Sequence, residues 1–175
     1  MNSNKFKNFI LDVDGVMTDG KFYYSENGKV FKSFGADDND ALSILKPLLN
    51  IIFVTGDKKG FKISQKRISQ DMKYPLFLVS TIKRIDWISH KFILSETIYM
   101  GDGIFDHLVM KNVGYAISPA NADNNAKKFS NYVTKRSGAD RAVAEACMHI
   151  IKKFFKNINP YNPSKNLKYS GEWTF

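Results

Sequence analysis

A three-layer α/β fold with a mostly parallel sheet is the class this sequence predicts, and three observations predict it. Apolar runs of strand length, at residues 9–11, 51–54, 76–79, 97–100 and 113–117, alternate with segments of helical spacing. These runs are almost continuously apolar, the pattern of strands covered on both faces. Polar residues capable of chemistry collect where the runs end, which is the edge at which open parallel sheets bind ligands.

The chain has 175 residues, 43% of them hydrophobic and 25% charged, enough for one domain with a full-sized core. No apolar run approaches the roughly 20 residues of a membrane-spanning helix, and the polar start Met1-Asn2-Ser3-Asn4-Lys5 does not resemble a signal peptide. A lone Cys147 cannot form an internal disulfide, so a cytoplasmic location is expected. The formal charge of +9 favours an anionic partner, either a phosphorylated small molecule or nucleic acid. The lysines are spread out, with pairs such as Lys58-Lys59 and Lys152-Lys153 suited to solvated helix faces, and no nucleic-acid-binding motif is present. No membrane or nucleic-acid partner is therefore expected.

Taken in order, the first strand ends in Asp12-Val13-Asp14-Gly15. Two carboxylates there need a cation or a hydrogen-bond network, and a hard divalent ion such as Mg²⁺ would supply the cation; an acidic turn is the simpler reading. Residues 21–24 and 29–34 flank Ser25-Glu26-Asn27-Gly28, a hairpin signal. The hairpin, about 21–34, follows directly on the aspartates and is expected to project over them as a flap. Asp37-Asp38-Asn39-Asp40 precedes a helix predicted from Ala41, and reads either as its cap or as a substrate or metal contact. The second strand ends in Thr55-Gly56-Asp57, a hydroxyl and glycine suited to an anion at a strand-to-helix turn. A helix with Phe61, Ile63 and Ile68 follows. After the third strand, Ser80-Thr81 caps a helix from about Ile82 to Phe92. Lys83 in its first turn opposes the helix dipole, which suggests that it points at an anion; Arg84 and Lys91 read as surface. The fourth strand ends in Gly101-Asp102-Gly103-Ile104-Phe105-Asp106. A short helix over 120–129, a last short strand at 132–133 and a long amphipathic helix through Phe155 complete the domain, 1–156. The tail, 157–175, is rich in Asn, Pro and aromatic residues and is expected to be irregular or to lie on a partner subunit.

Right-handed crossovers bring Asp12, Asp14, Thr55, Lys83, Asp102 and Asp106 to one edge. Over residues 7–155, the order and spacing of Asp-x-Asp-Gly-Val-x-Thr-Asp-Gly, Val-Thr-Gly, the downstream lysine and Gly-Asp-x-x-x-Asp resemble the haloacid dehalogenase-like phosphatases. Thr18-Asp19-Gly20, the hairpin and Ser137-Gly138-Ala139-x-Arg141 resemble their capless branch, which acts on 3-deoxy-octulosonate 8-phosphate and nonulosonate 9-phosphate.

The resemblance implies a Rossmann-like fold without a large cap domain and a Mg²⁺-dependent phosphomonoesterase acting on a small sugar phosphate, assembled as a homotetramer. It implies Asp12 as nucleophile, Asp14 as general acid and base, and Lys83 as fixed positive charge. Thr55 and the amides near Gly15 and Gly56 would hold the phosphoryl oxygens. Asp12, the Asp14 backbone carbonyl and Asp102 would hold the ion, with Asp106 orienting its waters or Lys83. The chain departs from the branch in Gly103, where relatives carry a second aspartate, and in Asp37-Asp38-Asn39-Asp40, where sugar-acid phosphatases show Arg/Lys-Asp-Gly. A polynucleotide phosphatase and a non-catalytic assembly module are the alternatives on this scaffold.

Overall fold

The structure is a computed structural model, described here for residues 5–162. Six strands form one sheet: β1 (Asn8–Asp12), β4 (Asn50–Thr55), β5 (Leu76–Leu78), β6 (Thr97–Met100), β7 (Tyr115–Ser118) and β8 (Tyr132–Val133), in the order β5-β4-β1-β6-β7-β8. Every pairing in it is parallel. The hairpin strands β2 (Tyr23–Ser25) and β3 (Gly28–Phe31) form a separate antiparallel pair. The expected alternation is therefore present, with β1 at the centre.

β1 shows why the sheet lies between two helical layers. Phe9 and Leu11 enter one apolar cluster with α1 (Asp37–Leu45) and α6 (Ala142–Phe154), while Ile10 between them enters a second cluster on the opposite face. The second cluster contains Ile88 of α3 (Arg84–Lys91), Val109 and Met110 of α4 (His107–Met110) and Ala126 of α5 (Asn124–Lys128). Side chains on a strand alternate faces, so an uninterrupted apolar run feeds both cores. The short α4, which sequence periodicity did not reveal, follows directly on Asp106. The second helix, α2 (Phe61–Gln65), continues into a wider turn over Lys66–Asp71.

Within the Asp37–Asp40 stretch, Asp37 and Asp38 have structural roles. α1 begins at Asp37, not at Ala41, so the acidic residues form its first turn. Asp38 is fully buried and accepts a 2.9 Å hydrogen bond from the Ala144 amide in the first turn of α6. Arg141, which precedes α6, lies in a left-handed conformation and offers no side-chain cap; the carboxylate from α1 supplies it. Asp37 pairs with Arg141 at the surface. The aromatic tail beyond residue 162, expected to be irregular or docked, lies outside the described residues.

Burial pushes the Asp38 carboxyl up to about 6, outweighing the amides of α6 that pull it down. A carboxyl raised on folding stabilises the fold fully below its unfolded value near 4, and that contribution is lost as pH rises through about 6. Asp38→Asn keeps an acceptor for Ala144 and cannot ionise. Its unfolding free energy is expected to gain on the parent by about 2–3 kcal/mol between pH 4 and pH 7, as read by urea denaturation. A constant difference across that range would refute the assignment.

Candidate active site

Sheet register assembles the site. Asp12, the last residue of β1, lies opposite Val54, one residue before Thr55 at the end of β4. On the other side Leu11 lies opposite Met100, the end of β6, so Asp102 emerges one step beyond the edge. Three neighbouring strands thus deliver Asp12, Thr55 and Asp102 to one rim, as the sequence predicts. The turn after Asp12 is tight. Gly15 has φ +82°, and a β-carbon there would collide with the Asp102 carboxylate. Gly138 packs so closely on this turn that a β-carbon would strike the backbone oxygens of Gly15 and Thr18. Asn121 ties the two segments, donating to the Gly15 carbonyl at 2.9 Å and accepting from the Gly138 amide at 2.7 Å. A lone asparagine after a strand gave no sequence signal of that bridge.

The cation at the centre is Arg84, not Lys83. The Lys83 side chain is exposed and lines a groove with Leu78, Trp87 and His90. Arg84 is fully buried; its Nη1 donates to Asp12 Oδ2 at 2.8 Å, to Asp106 Oδ1 at 2.9 Å and to the Tyr99 hydroxyl at 2.8 Å. The physical reason is helical phase: α3 begins at Arg84, and one residue turns a side chain by about 100°. Lys83 and Arg84 share the start of α3, and the helix turns Arg84 inward and leaves Lys83 at the surface.

Asp106 has both oxygens engaged, Oδ1 by Arg84 and by the Tyr99 hydroxyl at 2.6 Å, and Oδ2 by the Gly103 amide at 2.8 Å. It therefore orients Arg84 in the place expected for Lys83. Gly15 is a second correction: its amide is committed to Thr18 Oγ1 at 3.1 Å, so it does not present itself to a phosphoryl group in this state. Gly56 lies exposed at the rim beside Thr55. Thr55 Oγ1 donates to Asp14 Oδ2 at 3.0 Å and accepts from the Asp57 amide.

The electrostatics call for a cation. Asp12, Asp102 and Asp106 can each place a carboxylate oxygen within 4.8 Å of the others. With all three ionised, the single charge of Arg84 leaves a deficit of two positive charges. Burial drives the Asp102 carboxyl up to about 8, and repulsion from Asp12 and Asp106 adds to the shift. Burial likewise raises Asp12 to about 6, against the pull of Arg84. Hard oxygen donors with a net deficit of two charges fit a divalent ion such as Mg²⁺.

No protein-family model matches the chain. Over 143 residues it is 32% identical to the 3-deoxy-D-manno-octulosonate 8-phosphate phosphatase KdsC of Escherichia coli, spanning 79% of this chain and 75% of that one. The chain belongs to the haloacid dehalogenase-like phosphatases, in the family of KdsC. Its fold agrees. The cobalt-bound phosphatase of Haemophilus influenzae superposes with a TM-score of 0.73 at 26% identity, covering 85% of this chain and 88% of the other. The Moraxella catarrhalis phosphatase, in complex with magnesium, phosphate and KDO, gives 0.71 at 25% identity, covering 85% and 87%. Members of this family are phosphoric monoester hydrolases, and so is this chain. Among the described residues no helix is long and apolar enough to cross a membrane.

Two outcomes follow from the charge arrangement. Arg84→Met is expected to lower catalytic turnover by about 100-fold or more and to reduce the melting temperature, because it strands two buried carboxylates. Lys83→Met should leave both nearly unchanged; the reverse ranking would restore Lys83 to the site. Separately, MgCl₂ should raise the melting temperature of the parent protein and have little effect on Asp102→Ala. An equal rise in both proteins would exclude Asp102 as a ligand.

Proposed function

We propose that the protein is a Mg²⁺-dependent phosphatase of a small phosphorylated sugar acid, of the 3-deoxy-octulosonate 8-phosphate or nonulosonate 9-phosphate type, working through an aspartyl-phosphate. The observation that carries the reading is the position of Asp12. It closes the central strand, is held by Arg84 and stands beside Asp102, with Asp14 and Thr55 on the same rim.

Asp12 and Asp102, with the Asp14 backbone carbonyl, would hold the ion. When bound, it neutralises carboxylate and phosphate charge that would otherwise repel. An Asp12 oxygen attacks phosphorus as the bond to the sugar oxygen breaks, and the departing oxygen takes a proton from Asp14. Water then attacks the aspartyl-phosphate, returns a proton to Asp14 and releases Asp12 as a carboxylate with inorganic phosphate. Arg84 keeps Asp12 aligned, and Thr55 holds a transferring oxygen. The carboxylate of the sugar would not meet Asp37 or Asp38, since one is paired with Arg141 and the other is buried.

The hairpin supports assembly. Phe22, Tyr23, Tyr24, Val30 and Phe31 are all exposed in the single chain, more apolar surface than an isolated flap has reason to display. A homotetramer that buries these hairpins would cover it; sedimentation equilibrium should then give four times the 20.0 kDa chain mass.

Asp12→Asn is expected to abolish phosphate release from 3-deoxy-octulosonate 8-phosphate and from an aryl phosphate alike, by more than about 1,000-fold, with an unchanged circular dichroism spectrum. Turnover retained in the folded variant would remove Asp12 as nucleophile.

A further inference from the structure

One buried charge near the site has no part in the chemistry above. Lys32 lies just beyond β3, at the base of the hairpin, and its side chain is 0% exposed. Its Nζ stands 2.6 Å from Asp14 Oδ1 and 2.9 Å from Asp57 Oδ2, and donates to Ser64 Oγ at 2.9 Å. Burying an ammonium is costly unless its partners are complete; here two carboxylates and a hydroxyl complete them. Asp57 is shared with Lys29, whose Nζ is 2.6 Å away and lies over the Phe22 ring. Burial would raise the Asp57 carboxyl, but hydrogen bonds from Lys29, Lys32 and the Gly60 amide outweigh it and hold it down to about 2. The base of the hairpin is thus fastened to the body by charge.

Asp14 is gripped from two sides. Its Oδ1 is buried, and among the described residues it receives no directed hydrogen bond; the Lys32 ammonium stands against it at 2.6 Å. Its Oδ2 accepts from Thr55 at the rim. A carboxyl group fixed at both oxygens by two separate elements cannot rotate freely; with Oδ1 buried and the side chain 19% exposed, Oδ2 is the oxygen available for a proton transfer. The geometry points to Lys32 as a positioning residue: it holds the Asp14 carboxyl in the orientation from which Oδ2 exchanges a proton with the departing oxygen. The hairpin thereby becomes part of the working site as well as a surface for assembly. This rests on the role proposed for Asp14 above.

A residue acting through Asp14 must act according to the leaving group. 4-Nitrophenolate departs without a proton, whereas an alkoxide needs one. The ratio kcat/KM reports the steps through that departure, apart from the later attack of water. With the full-length protein in Mg²⁺, Lys32→Met is expected to lower kcat/KM for an alkyl phosphate such as 3-deoxy-octulosonate 8-phosphate by about 100-fold or more. For 4-nitrophenyl phosphate the loss should be less than about 10-fold, the difference being the contribution of a positioned general acid. Lys29→Met, which removes the other ammonium on Asp57, should change both substrates by the same factor. Should Lys32→Met not fold, Lys32→Gln, which keeps polar atoms but no charge, gives the same comparison. Equal losses on both substrates, or none, would make Lys32 a structural fastening only and overturn the inference. A parent protein inactive on every phosphate tested would overturn the function itself, a distinct result.

Discussion

Negative charge gathered at the end of a buried strand is the constraint on which the rest of this structure depends. β1 is covered on both faces, so Asp12 emerges where water is scarce and ionisation is opposed by burial and by the neighbouring carboxylates. The fold answers with one guanidinium, oriented by Asp106 and Tyr99. That answer is incomplete. Asp102 stays close to Asp12 because Gly15 has no side chain to keep it away, and its carboxyl is driven far above its ordinary value. Such an arrangement is unfavourable for a protein that binds nothing and favourable for one that holds a divalent cation and, through it, a phosphate.

Two charge networks divide the rim. On the β6 side, Arg84 serves Asp12 and Asp106. On the hairpin side, Lys32 and Lys29 serve Asp14 and Asp57. Asp12 ends β1, whereas Asp14 lies beyond the strand in the tight turn that Gly15 makes, so the two carboxylates do not share a strand face and each falls to its own cation. The separation would suit the two different tasks proposed for them, bonding to phosphorus for Asp12 and carrying a proton for Asp14.

Much of this was legible in the sequence, because a parallel sheet converts strand ends into a shared edge. Asp12, Asp14, Thr55, Asp102 and Asp106 each follow an apolar run, and register did the rest. Arg84 was not legible. Choosing it over Lys83 requires knowing the residue at which α3 begins, and a difference of one residue reverses inside and outside. Lys32 gave no signal because it sits in a hairpin of alternating lysines and aromatic residues, where a buried ammonium resembles a solvated one. Asp38 showed the opposite ambiguity: the acidic run does form the first turn of α1, but the Asp38 carboxylate serves the N-terminus of α6, about a hundred residues away, and only tertiary packing of α1 on α6 discloses that partner.

Asp12 at the end of β1 and Asp102 just beyond β6 are expected to share a divalent ion. A crystal soaked in Mn²⁺, read by anomalous scattering, tests it most directly. A peak is expected at about 2 Å from oxygens of both Asp12 and Asp102. A peak elsewhere, or an Asp12 joined to Arg84 with no metal at saturating Mn²⁺, would contradict it.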